Sequence, residues 1–178
     1  MQGRLVAIIG PSGAGKDTLL GLASAHLAAR RDVIFARRVI TRPAEPNEPH
    51  EPADEAEFLA RCAAGGFALH WAANGLRYGI PVSVEAEIAR GRHVVASLSR
   101  TVVAEARARY PAFVIEITAP SGLLRERLLR RGREGAGDIK ARLARSAAID
   151  AGGADAVIVN DAAAEDAGLR LAALIGGQ

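Results

Sequence analysis

A three-layer α/β/α fold, with a parallel sheet covered by helices on both faces, is predicted by three observations. Strand-length apolar runs alternate with helical patterns along the chain, the order that a parallel sheet with crossover helices requires. The first run, Leu5-Val6-Ala7-Ile8-Ile9, enters a glycine-rich turn that opens a helix: Gly10-Pro11-Ser12-Gly13-Ala14-Gly15-Lys16-Asp17-Thr18. At 178 residues, 49% apolar and 24% charged, the chain suits one domain with a sizeable core.

The turn has the context of a phosphate-binding loop, or P-loop. Three glycines let backbone N–H groups curl around an anion, and the helix beginning near Lys16 adds its unpaired N–H groups and positive end. Lys16 supplies an ammonium for the outer phosphates. Lys16 and Lys140 are the only lysines in a chain otherwise rich in arginine, so a compact point charge is specifically wanted at this place. Asp17 stands where a Ser or Thr ordinarily directs Mg²⁺, and Thr18 comes one residue late. Asp17 is therefore either the metal-directed carboxylate or an ordinary acid favoured by the helix dipole. The strand pattern at His93-Val94-Val95-Ala96-Ser97-Leu98 offers no acid for that task.

Taken in order, residues 16–30 read as a helix, with Leu19, Leu20, Ala23 and Leu27 at helical spacing. Val33–Ile40 reads as the second strand. Residues 41–53 carry Pro43, Pro46, Pro49 and Pro52 and form an extended polar connection. Asp54 caps a helix through Ala64, with Glu57 as capping-box partner, and Gly65-Gly66 ends it. Phe67–Ala72 is a strand, Asn74-Gly75 a turn, and 82–90 a helix stopped by Gly91. His93–Leu98 is a strand, 100–109 a helix and Phe113–Thr118 a strand. Pro120-Ser121 starts a helix to Arg131. Residues 132–137 hold three glycines, a helix follows over 138–149, Ala156–Val159 is the last strand and 162–175 the last helix.

Net charge is +3, too small to call for nucleic acid, and no apolar run approaches a membrane span. The strand at the N-terminus leaves no room for a signal peptide. Cys62, the single cysteine, excludes an internal disulfide and reads as a small core residue. These features lead to the expectation of a cytoplasmic location.

Two further clusters carry chemistry. Arg125 and Arg127 read as a solvated helix face. Arg131 and Arg133 flank Gly132 at a helix end, and Arg142 and Arg145 lie one turn apart on the next helix. Arginines facing across a glycine hinge are what a phosphoryl-transfer lid needs, because they neutralise the transferring group and exclude water on closure. The second cluster, between the second strand and residue 81, holds Arg38, Arg42, His50, His70, Arg77 and Tyr78. Its histidines read equally as ligand contacts or as ordinary surface or core residues, and with Cys62 they lack zinc-site spacing.

These residues resemble the guanylate kinase family over nearly the whole chain. Gly10 to Lys16 is similar to its phosphate loop, and Ile40-Thr41-Arg42-Pro43 to the segment whose arginine holds the acceptor phosphate. Tyr78-Gly79 is similar to its Tyr-Gly pair, and His50 falls where it has a phosphate-binding tyrosine. Arg131-Gly132 and Ile139-Lys140-Ala141-Arg142-Leu143 resemble its lid, and Val157-Ile158-Val159-Asn160-Asp161 its closing strand. The departures concern the base: His70 replaces the glutamate that reads guanine, and Leu98 replaces the second acid. Glu45 stands where a second phosphate arginine would be.

A closer resemblance is to the ribose 1,5-bisphosphate phosphokinase branch. It rests on Gly15-Lys16-Asp17-Thr18, Arg38-Val39-Ile40-Thr41-Arg42, Trp71 to Gly79, Ser99-Arg100 and Arg131-Gly132-Arg133-Glu134. The resemblance implies one domain with a core (1–34, 92–130, 146–178), an acceptor-binding subdomain (about 35–91) and a mobile lid (about 131–145). It implies ATP with Mg²⁺ and conversion of ribose 1,5-bisphosphate to 5-phosphoribosyl 1-diphosphate, in phosphonate degradation or in making that diphosphate. ATP would lie in the loop 10–18, and Lys16, Arg131, Arg133 and Arg142 would act in catalysis. Arg38, Arg42, His50, His70, Arg77, Tyr78 and Arg100 would face a small phosphorylated sugar, and Asp17 the metal. Two alternatives stand beside this: a nucleoside monophosphate kinase with altered base preference, and a non-catalytic guanylate-kinase-like binding module.

Overall fold

The computed structural model describes residues 2–44, 49–131 (the last by its backbone alone) and 153–177. In chain order the elements are β1 (Arg4–Ile9), α1 (Lys16–His26), β2 (Val33–Phe35), β3 (Val39–Ile40), β4 (Glu51–Pro52), α2 (Glu55–Ala63), β5 (Phe67–Ala73), β6 (Leu76–Pro81), α3 (Val84–Ala89), β7 (His93–Ser97), a 3-10 turn (Arg100–Val102), α4 (Val103–Arg109), β8 (Ala112–Thr118), α5 (Ser121–Arg131), β9 (Ala156–Val159) and α6 (Ala164–Gly176).

The main sheet has the order β2-β7-β1-β8-β9 and is parallel at every pairing. Both faces are covered, which explains why β1 is a continuous apolar run and not an alternating one. Val6, Ile8, Ile115, Ile117 and Ile158 pack with Leu19 of α1 and with Leu171 and Ile175 of α6. Leu5, Ala7, Ile9, Val94, Ala96 and Val114 face the other way, against Val103 and Ala106 of α4. From β1 the chain passes first to β2 and β7 on one side and then to β8 and β9 on the other, so the crevice beyond the carboxyl end of β1 is a topological switch point, where such sheets bind ligands.

A second, four-stranded sheet has the order β4-β3-β6-β5. The single strand expected over 33–40 is in fact two. Ala36 N still donates to Val95 O at 2.8 Å, but Val39 and Ile40 pair with Gly79 and Tyr78 of the second sheet. Ala36-Arg37-Arg38 is the crossing between sheets. The Asn74-Gly75 turn, with φ of 52° and 74°, joins β5 to β6 as a two-residue hairpin; β6 was not foreseen. At Gly79 a Cβ would stand 2.5 Å from the Phe67 ring, so only glycine lets β6 lie flush there. Leu69 and Ile80 enter the main core, fixing the second sheet beside the mouth of the first.

The helix boundaries shift locally. Helix α1 stops at His26, short of the expected 30. Asp54 Oδ1 accepts from Glu57 N at 2.8 Å, forming the cap of α2 that the sequence predicts. The helix expected from residue 100 opens with the 3-10 turn, capped by Ser99 Oγ accepting from Thr101 N at 3.3 Å. The expected helix over 138–149 and the expected lid lie outside the described residues, apart from the backbone of Arg131. Among the described residues no helix is long and apolar enough to cross a membrane.

Candidate active site

The loop between β1 and α1 owes its shape to three glycines in the left-handed region, Gly10 (φ 141°), Gly13 (85°) and Gly15 (90°). A Cβ on Gly10 would overlap the Ile117 carbonyl oxygen, and one on Gly15 would lie 2.5 Å from Asn160 Nδ2. The backbone can therefore bend around an anion only without side chains at these points. Lys16 Nζ donates to Gly10 O at 2.8 Å and to Pro11 O at 2.9 Å, which holds the ammonium over the loop.

Asn160, at the end of β9, is only 4% exposed. Its Nδ2 donates to Ala14 O at 2.8 Å and pins the loop from behind. The sequence carried this residue only as part of a strand resemblance; its buried amide and its contact with the loop are visible in the fold alone.

On one side of the loop lies a cavity of about 210 Å³ lined by loop residues with Lys16, Asp17, Arg38, Arg42, Trp71, Tyr78, Ser97, Leu98 and Ser99. Three cations meet one carboxylate among these side chains. The rings of Trp71 and Tyr78, directly paired across β5 and β6, stack with centroids 5.5 Å apart and planes 4° from parallel. Arg38, on the crossing segment, donates from Nη2 to Asp17 Oδ1 at 2.8 Å and from Nη1 to Ser97 Oγ at 3.3 Å. Asp17 thus faces this cavity in an ion pair, while exposed Thr18 lines another.

Four expected acceptor contacts lie elsewhere. His50 is fully buried; its Nε2 sits 3.2 Å from Arg42 O, so it supports the backbone that presents Arg42. His70 and Arg77 are on the strand faces opposite Trp71 and Tyr78, because a step of one residue in a strand reverses the side chain. His70 is exposed, its ring 6.4 Å from that of Phe67, and Arg77 Nε donates to Glu55 Oε1 at 3.0 Å on the surface. Arg100 follows Ser99 into the 3-10 turn, with Nη1 3.9 Å from Glu116 Oε1. Trp71, Ser97 and Ser99 also line the cavity; the sequence offers Trp71 and Ser99 only within the resemblance segments and Ser97 only within a strand, none of them as an acceptor contact. Trp71 had a usable signal, an alternation of two with Ala73 next to the Asn-Gly turn.

A cavity of about 400 Å³ on the other side of the loop is lined by Gly13, Gly15, Thr18, Arg127, Arg130, Asn160 and Ala164. Arg127 is not the solvated side chain expected. Three residues after buried Leu124, it flanks the packed face of α5 and donates from Nη2 to Asn160 O at 3.1 Å. Arg127 Nη1 and Asn160 Oδ1 are buried without a hydrogen-bond partner among the described residues, a donor and an acceptor on two residues that line this cavity. Arg133, Arg142 and Glu45, and the side chain of Arg131, lie outside the described residues. Among the described residues no cluster of three or more His, Cys, Asp or Glu could hold a metal alone.

Parallel sheet, phosphate loop at the switch point and a second sheet facing it define a P-loop α/β protein of the guanylate kinase fold. A solved guanylate kinase from Anaplasma phagocytophilum superposes with a TM-score of 0.67 at 22% identity, over 98% of this chain and 85% of that one. The ribose 1,5-bisphosphate phosphokinase PhnN of Acidiphilium cryptum is 50% identical over 168 residues, 94% of this chain and 89% of that one. Proteins of the same name from Methylobacterium radiotolerans and Burkholderia pseudomallei are 48% and 46% identical over 97% and 98% of this chain, covering 97% and 96% of their own. The chain belongs to the ribose 1,5-bisphosphate phosphokinase family. No family model matches it.

Proposed function

We propose that this chain is an ATP-dependent kinase that converts ribose 1,5-bisphosphate to 5-phosphoribosyl 1-diphosphate. The observation that carries the reading is the lining of the 210 Å³ cavity, with Lys16, Arg38 and Arg42 against Asp17 and with Leu98 in its wall. Guanine presents N–H donors and requires acceptors from its reader; leucine has none, and a site lacking such bonds discriminates strongly against that base. A baseless sugar with two phosphates, each carrying about −1.5 to −2 near neutral pH, suits the cations instead. The names of the relatives support the same substrate.

In this reading the loop amides and Lys16 hold the β- and γ-phosphates, and Arg42 and Tyr78 hold the acceptor's anomeric phosphate in line. An oxygen of that phosphate bonds to the γ-phosphorus as the bond to the β–γ bridging oxygen breaks, releasing ADP. The attacking oxygen is already anionic, so positioning and charge stabilisation suffice without a strong base. The Asp17 carboxylate is a hard oxygen donor beside the phosphate loop and fits Mg²⁺, which would neutralise charge on the phosphates. Arg127 and Asn160 offer the nucleoside a donor, an acceptor and a guanidinium face. His50 supports Arg42, and Arg131, Arg133 and Arg142 close over the transfer.

The test is an acceptor panel with ATP, following ADP release. Ribose 1,5-bisphosphate is turned over well ahead of GMP if the reading is right. Preference for GMP would make the chain a nucleoside monophosphate kinase, and absence of ATP binding by calorimetry would make it a binding module.

A further inference from the structure

A second space, of about 440 Å³, lies behind the acceptor cavity, between α1 and the crossing segment. Among the described residues the two spaces share three side chains, Asp17, Arg38 and Ser97. Arg38 joins the other two, donating to Asp17 Oδ1 at 2.8 Å and to Ser97 Oγ at 3.3 Å. They form a partition, and the Arg38 and Asp17 side chains in it are 13% and 25% exposed. On one side are the phosphate loop, Arg42 and Tyr78; on the other are Leu20, Phe35 and Gly21, where a Cβ would meet nothing within 4 Å. Arg42 and Tyr78 touch only the first space.

Resting on the kinase reading and deepening it, we infer that this bonded triad is the end wall of the acceptor site. Arg38 takes the acceptor's far phosphate, the one not undergoing transfer, and Asp17 and Ser97 are positioning residues that hold the guanidinium in place. A planar fork of donors can serve a carboxylate and a phosphate together, which an ammonium cannot do with fixed geometry. Holding it in advance reduces the ordering cost of binding. The pairing also bears on charge: Asp17 neighbours Lys16 in a site for anions, and Arg38 partly neutralises its carboxylate at 2.8 Å alongside the Mg²⁺ that Asp17 would hold. The wall separates the short space that a pentose fills from the larger one behind it, so it sets acceptor length as well as charge.

The experiment compares ribose 1,5-bisphosphate with ribose 1-phosphate, which lacks the far phosphate, as acceptors for the wild type, Arg38→Gln, Asp17→Asn and the double variant. The wild type should prefer the bisphosphate in kcat/KM, and Arg38→Gln should shrink that preference about 10- to 100-fold, chiefly through KM, the range for a charge-assisted hydrogen bond. Arg38→Lys should recover part of it. In that preference ratio Asp17→Asn should act in the same direction but less, and the double variant should match Arg38→Gln within about threefold, since the two residues act as a unit; the loss of a Mg²⁺ ligand lowers turnover of both acceptors alike and cancels in the ratio. Trp71 is the only tryptophan and lines the cavity, so its fluorescence titrated with each sugar phosphate reads the same preference without turnover. Should Arg38→Gln not fold, Arg38→Lys and Ser97→Ala give the preference ratio in its place. Equal losses for both acceptors, with the preference intact, overturn the inference and leave the kinase reading standing. A wild type that turns over neither acceptor overturns both.

Discussion

Replacing Asn160 with aspartate keeps the shape of the side chain and removes one capability, donation to Ala14 O. In the structure that donation spans 2.8 Å, the residue is 4% exposed and the amide sits where Gly15 would carry a Cβ. The variant loses a buried hydrogen bond and sets a carboxylate against a carbonyl oxygen. Leaving a buried polar group unsatisfied costs about 1–3 kcal/mol, with more when the group is charged, so a loss of about 2–4 kcal/mol is expected. In a chain of this length each kcal/mol moves the melting midpoint by about 2–4 °C. The midpoint should therefore fall by roughly 4–16 °C. A non-hydrolysable ATP analogue should bind at least about tenfold more weakly, because the loop is no longer held and a negative charge has been added behind it. Asn160→Ala, which removes the donor without adding charge, should fall between the two. Thermal melts and calorimetric titration measure both effects. An aspartate variant that melts and binds like the wild type would refute the claim that β9 holds the loop.

Three further outcomes follow from named contacts. Lys16→Ala should lower kcat by at least about 100-fold in a coupled assay of ADP release, since it removes the ammonium poised over Gly10 O and Pro11 O. Gly79→Ala should destabilise the fold by about 1–3 kcal/mol in urea unfolding, because the new Cβ stands 2.5 Å from the Phe67 ring. Burial pushes the His93 imidazole below its ordinary value of 6.5, and the Arg4 charge acts the same way while Asp32 opposes it. The unfolded chain therefore takes up that proton first, so stability is full above pH 6.5 and drains as pH falls below it. Melting midpoints measured from pH 7 to pH 5 should decline in the wild type and decline less in His93→Gln.

The loop and main sheet were legible because their signals are local. Glycine spacing, an apolar run before it and a helix after it stand within eighteen residues. The second sheet was legible only in part: the strand over 67–72 and the Asn74-Gly75 turn are found, but β3, β4 and β6 do not stand out as separate strands. Strands β3 and β4 are two residues each, and their existence depends on partners distant in sequence. The site inherited that difficulty. A register shift between Phe67 and Leu69 resets the alternation on β5 and directs Trp71, not His70, toward the cavity. The same step of one residue separates Tyr78 from Arg77. Arg38 was identified by its charge, but its bonds to Asp17 and Ser97 join three separate segments and required the fold.

The most direct test follows the label of γ-phosphate-labelled ATP incubated with the purified protein and ribose 1,5-bisphosphate. The account predicts label in the outer phosphate of a sugar diphosphate, formed in step with ADP. Label appearing only as inorganic phosphate, or entering GMP in preference to the sugar, would contradict it.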